Sequence, residues 1–196
     1  MISVPLIFTT FCIIFIAELP DKAALAALIL STKYRARDVI VGAWLAFLVQ
    51  TIVGVAAGSV LTLLPAEPIR IASGIGFLVF SFLAFRRKEE DDAQEEEKAS
   101  NVLAKPKRPI WLISFLVIFA AEWGDLTQLA TAALVAQNHH PIEVGIGAVL
   151  ALWAVTVLAA YSGAKIGKVL KPRLLNILSG VLFAVIGLFI IYSAMS

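Results

Sequence analysis

The sequence predicts an all-α polytopic membrane protein: six transmembrane helices arranged as two inverted three-helix repeats. Three observations lead there. Of the 196 residues 60% are hydrophobic and 15% charged, with a mean hydropathy of +0.92; an ordinary soluble domain is roughly half apolar and a quarter charged. The apolar residues fall in long unbroken runs near the ~17–25 residues that a bilayer core demands, where a membrane barrel would show alternating segments of about ten. The motif Glu18-Leu19-Pro20-Asp21-Lys22, in the middle of the first run, is echoed by Glu122-Trp123-Gly124-Asp125 in the middle of the fourth.

The runs cover 4–30, 39–64, 69–86, 109–136, 142–165 and 173–194. Thr32 to Asp38, Pro65-Ala66-Glu67-Pro68 and His139-His140-Pro141 are the short links, two of them punctuated by proline. Between Arg86 and Pro109 the composition changes: Arg86-Arg87-Lys88-Glu89-Glu90-Asp91-Asp92 opens a stretch charged almost throughout, which reads as a solvated linker. The expected organisation is a first repeat over 1–86, a charged cytoplasmic linker over 87–108 and a second repeat over 109–196. Val4 to Leu30 has no basic flank and is too long for a leader's apolar core of about 7–15 residues, so Met1 is expected to begin the mature protein.

The two halves repeat in register. Glu18 and Asp21 align on Glu122 and Asp125, and, with small shifts, Gly42-Ala43 on Gly147-Ala148 and Ser73-Gly74 on Ser179-Gly180. A unit of three spans has an odd number of crossings, so its second copy enters from the opposite side. In that architecture substrate sites lie near the midplane, on discontinuous helices between the repeats.

Basic residues give the orientation. Lys33, Arg35 and Arg37, then the cluster from Arg86 to Arg108, then Lys165, Lys168, Lys171 and Arg173 share one side of the six-helix arrangement, against Arg70 on the other. The positive-inside rule therefore makes the central loop cytoplasmic and sends both termini outward, in a multi-pass protein of the cell membrane. A formal net charge of +2, with its cations in loops, speaks against nucleic acid as a partner. The single Cys12 excludes an internal disulfide.

Ionised side chains at the bilayer centre cost at least about 2.5–3.5 kcal/mol, and their usual reason is an ion or proton pathway. Residues three apart on a helix share a face, so Glu18 and Asp21 are expected to converge, as are Glu122 and Asp125. Antiparallel helices crossing at these points would gather four carboxylates, which must then bind protons or a cation. Hard divalent ions (calcium, manganese, magnesium) suit such a cage, with Thr127 and Gln128 adding oxygens. Pro20 is expected to open a helical turn, Gly124 to weaken its helix more gently. Lys22 either pairs with Asp21 or snorkels to the surface. His139-His140 read as exposed loop residues, Trp111 as an interface anchor and Trp123 as helix packing.

At these residues the chain resembles the so-called uncharacterised protein family sixteen. Its eukaryotic members are Golgi manganese/calcium–proton exchangers and its bacterial members include manganese exporters; its signature is a duplicated E-φ-G-D-K/R-T/S flanking an acidic cytoplasmic loop. Glu122-Trp123-Gly124-Asp125 with Thr127-Gln128 matches closely, with Leu126 where a basic residue is usual, and the first copy has Pro20 for Gly and Ala23 for the hydroxyl residue. The resemblance spans essentially the whole chain. It implies a secondary transporter of divalent metal cations, manganese first and calcium second, exporting the ion in exchange for protons. Metal ligands would be Glu18, Asp21, Glu122 and Asp125, with Thr127 and Gln128, and no prosthetic group. A homo-oligomer stays open. The competing expectations are an exporter of small cationic metabolites such as basic amino acids and a non-transporting membrane subunit. An enzyme is not expected, because no nucleophile with its base and no cofactor loop occurs.

Overall fold

The computed structural model describes residues 2–19, 22–63, 66–86, 108–166 and 172–195. Pro20, Asp21 and nearly all of the charged linker lie outside them, as does the side chain of Lys22. Every element among the described residues is helical: α1 (Val4–Glu18), α2 (Lys22–Lys33), α3 (Ala36–Leu61), α4 (Ala66–Arg86), α5 (Ile110–Ala121), α6 (Leu126–Asn138), α7 (Pro141–Ile166) and α8 (Pro172–Met195). The second four repeat the first in order: a short pair, a 26-residue helix and a final helix of 21 or 24 residues.

The main difference from the sequence expectation lies in the fourth apolar run, which is two helices, not one, interrupted at the acidic motif. Hydropathy does not register such a break, because the residues on either side stay apolar. In the first run α1 ends at Glu18 and α2 is described from Lys22 on, with Pro20 and Asp21 outside the described residues. Pro5 in the first turn of α1 and Pro141 at the start of α7 occupy positions where the missing N–H costs nothing. At the α6–α7 turn His139 takes φ 58°, with its N–H bonded to Val135 O at 2.9 Å. His139 and His140 are exposed, as expected.

Packing interleaves the halves. α1 and α2 both lie against α7; α5 and α6, the two pieces of the broken helix, both lie against α3. Two of the close approaches need glycine at matched places. A Cβ on Gly147 would come within 2.6 Å of Ile7 O, and one on Gly42 would run into Trp111 O and Ser114. Small residues of this kind let helix backbones meet where no water is available to drive them together.

Helices α3 and α7 touch each other through Trp44 and Trp153. Their rings stack at 4.6 Å, and each indole N–H donates to the other's carbonyl, at 3.3 and 3.2 Å. α4 packs on α8. There Ser81 Oγ donates to Gly180 O at 2.7 Å, and a Cβ on Gly187 would lie 2.8 Å from Gly74 O. With Gly74 aligned on Gly180, Ser81 falls on Gly187, so these are one contact met from its two ends.

Two helices, Ala36–Leu61 and Pro141–Tyr161, are each long and apolar enough to cross a membrane, and the pair α5 and α6 together makes a third candidate. Val4–Glu18, Ile71–Arg86 and Gly180–Ala194 are apolar but shorter. The described residues thus hold two to three candidate spans, where the sequence predicts six. Outward-facing Ile52, Val60, Phe82, Leu188 and Phe189 are more than half exposed, a surface suited to hydrocarbon rather than water.

Candidate ion-binding site

The α5–α6 break shows how the second motif is built. α5 ends at Ala121, and Glu122 caps it with its N–H on Ile118 O at 3.0 Å. Gly124 follows at φ +73°, a left-handed conformation that glycine adopts without a Cβ clash. Asp125 then caps α6: its Oδ1 accepts from Gln128 N at 2.8 Å, and its Oδ2 accepts from Thr127 Oγ1 at 2.7 Å. The two helices meet at 70°.

This corrects the helical-face argument. Glu122 and Asp125 are not neighbours on a continuous helix, and Gly124 does more than soften one. Glu122 stands at a C-terminus and Asp125 at an N-terminus, and the turn between them aims both inward. Trp123 is also unlike its expectation. It is 60% exposed, against Phe119 at a ring distance of 5.0 Å, rather than packed inside.

Glu18, the last residue of α1, comes to the same place from the other half. Glu18 and Glu122 are wholly buried and Asp125 is half-buried; each offers a carboxylate oxygen, and the three oxygens lie within 4.8 Å of one another. Both glutamates terminate helices, where the negative end of the helix dipole favours a cation. Oxygens surrounding one ion at about 2.0–2.6 Å are separated by at most roughly twice that distance, which this spacing meets.

Of the predicted ligands, Glu18, Glu122 and Asp125 are brought together, while Asp21 lies outside the described residues. Thr127 and Gln128 are at the site with their polar atoms already committed. Thr127 holds Asp125, while Gln128 Oε1 accepts from Gly124 N at 2.8 Å and its Nε2 donates to Gln50 O at 3.2 Å. Gln50 is the residue that sequence reasoning missed. It is 3% exposed in the middle of α3, and its Nε2 donates to Phe119 O at 2.9 Å. Its one signal was a long amide in an otherwise apolar span.

A family model described as the divalent cation/proton antiporter GDT1 matches the chain twice, over residues 6–92 and 110–196. The chain belongs to this family. As a GDT1 member it is a membrane transporter of divalent cations that exchanges them for protons, and not an enzyme. The doubled match places one copy of the family's unit on each acidic motif. Among similar proteins, GDT1-like protein sll0615 of Synechocystis is 32% identical over 184 residues, covering 87% of this chain and 89% of that protein. Protein PAM71-homolog, chloroplastic, of Arabidopsis thaliana is 31% identical over 202 residues, covering 89% and 56%. GDT1-like protein 2, chloroplastic, of Oryza sativa subsp. japonica is 31% identical over 199 residues, covering 88% and 57%. The chain thus spans a little over half the length of these two chloroplast proteins. No solved structure matches it.

Proposed function

We propose that this GDT1 protein exports manganese, and calcium less readily, across the cell membrane in exchange for protons, through one site shared by both halves. Glu18, Glu122 and Asp125 hold the ion, with Asp21 as the fourth carboxylate. The observation that carries this reading is the convergence of three carboxylates, two of them fully buried, at helix termini. A carboxylate must give up its proton to bind metal, so protons arriving at the site displace the ion and the ion displaces protons. That competition is what an exchanger requires.

The matched contacts of Gly42 with α5 and Gly147 with α1, and of α4 with α8 through Gly74 and Gly180, support reading the halves as inverted three-span repeats. In that reading each half carries one broken span and the site lies at the midplane. The Lys and Arg asymmetry then makes the central loop cytoplasmic and leaves both termini outside. A bare divalent ion fits oxygens this close better than the ammonium of a cationic metabolite, whose bulky stem would need an apolar chamber beside it.

The test is uptake of labelled manganese and calcium into proteoliposomes of the purified chain, with and without an imposed pH gradient. Gradient-driven uptake that Glu18→Gln and Glu122→Gln each abolish is the expected result. Uptake indifferent to the gradient, or undiminished in either variant, contradicts the reading.

A further inference from the structure

The polar groups around the second break form a closed brace. Phe119 O is among the last carbonyls of α5, which the end of a helix leaves without their usual partners. Gln50, reaching across from α3, supplies one at 2.9 Å. On the other side of the break Gly124 N is fixed by Gln128 Oε1 at 2.8 Å, and the same side chain returns to α3 through Gln50 O at 3.2 Å. Side chain and main chain of one residue thus grip both ends of the turn that carries Glu122 and Asp125.

We propose that Gln50 is a positioning residue of the ion site, which sets the separation of Glu122 and Asp125 by tying both sides of the α5–α6 break to α3. The inference rests on the reading that these carboxylates bind the ion. The brace belongs to the second half alone. With Glu18 on Glu122, Ala24 stands at the place of Gln128; with Gly42 on Gly147, Val155 stands at the place of Gln50. Neither can make these bonds. The second motif is therefore held to α3 by bonds that Ala24 and Val155 cannot supply at the aligned positions.

Supporting groups that orient metal ligands typically change affinity by about 10–100-fold when removed. Gln50→Met and Gln50→Leu keep most of the volume and lose the amide. Direct manganese binding to the folded, monodisperse variants should weaken by about tenfold or more. Val155→Ala, at the aligned position of α7, should lower the melting temperature and leave manganese affinity within about twofold, because it opens a cavity without touching the brace. Affinity retained in both Gln50 variants, or lost equally in Val155→Ala, overturns the proposal. Hydrogen exchange on the unsubstituted, metal-free protein is a check independent of any variant: the Gly124 amide should be protected, and rapid exchange there would also overturn it. An unsubstituted protein that binds no manganese contradicts the proposed function itself; one that binds it, with Gln50 variants binding equally well, contradicts only the brace.

Discussion

Glu122 closes one helix and Asp125 opens the next, and the 70° bend between those helices brings both carboxylates within ligand distance of Glu18. The acidic pair is not on one continuous helix. On a continuous helix the two side chains would share a face, but their backbone groups would be consumed in the ladder. At a break, Asp125 gains the N-terminal amide of Gln128 as a hydrogen-bond donor, and Glu122 gains the electrostatic character of a helix C-terminus.

Gly124 is where that geometry is most directly exposed to mutation. No atom within 4 Å would meet a Cβ there, so alanine has room, but its φ of +73° is costly for any residue bearing a Cβ. Gly124→Ala should cost about 1–2 kcal/mol and weaken manganese binding, as measured by thermal unfolding and direct titration. Unchanged stability and binding would mean that the left-handed turn is not required.

Much of the site was legible because charge is conspicuous in an apolar run. Glu18, Asp21, Glu122 and Asp125 could be singled out by that contrast, and the long helices α3 and α7 fall within a few residues of the predicted 39–64 and 142–165. The α5–α6 break was harder to see. Gly124 looks like any glycine of a membrane helix, where the residue is frequent, and only its φ distinguishes a turn from a weak spot. Gln50 was invisible for a related reason: a lone uncharged amide does not alter the hydropathy of a span, and its value appears only once Phe119 and Gln128 are beside it. Thr127 and Gln128, expected to add oxygens to the ion, lie beside the carboxylates with bonds to Asp125, Gly124 and Gln50 that hold the turn in shape.

Asp125 has two tasks that substitutions can separate. Asparagine still caps a helix, whereas alanine forfeits the cap at a cost of about 1 kcal/mol. Asp125→Asn should therefore keep near-normal thermal stability while losing transport, and Asp125→Ala should lose both. Transport by Asp125→Asn at the unsubstituted rate in proteoliposomes would remove Asp125 from the ion site.

The interleaving of the halves depends on the two glycine crossings. Gly42→Val and Gly147→Val force a side chain into backbone of α5 and α1, an overpacking that typically costs about 1–3 kcal/mol. Gly76, with nothing within 4 Å of its would-be Cβ, is the control: Gly76→Ala should be neutral or stabilising, by up to about 1 kcal/mol from helix propensity. Melting temperatures of the three purified variants decide this, and equal losses at all three positions would contradict the packing described.

The central claim is that metal and protons compete for the same carboxylates, and the most direct measurement is manganese binding to the purified protein as a function of pH. Lower pH raises the fraction of protonated carboxyl groups, and a protonated group cannot ligate the ion, so affinity should fall as pH is taken from about 8 to about 6. Binding in weak buffer should release protons into solution, and Glu122→Gln should bind less and release fewer. Affinity that stays flat across that range, with no proton release, would contradict an exchange site built from Glu18, Glu122 and Asp125.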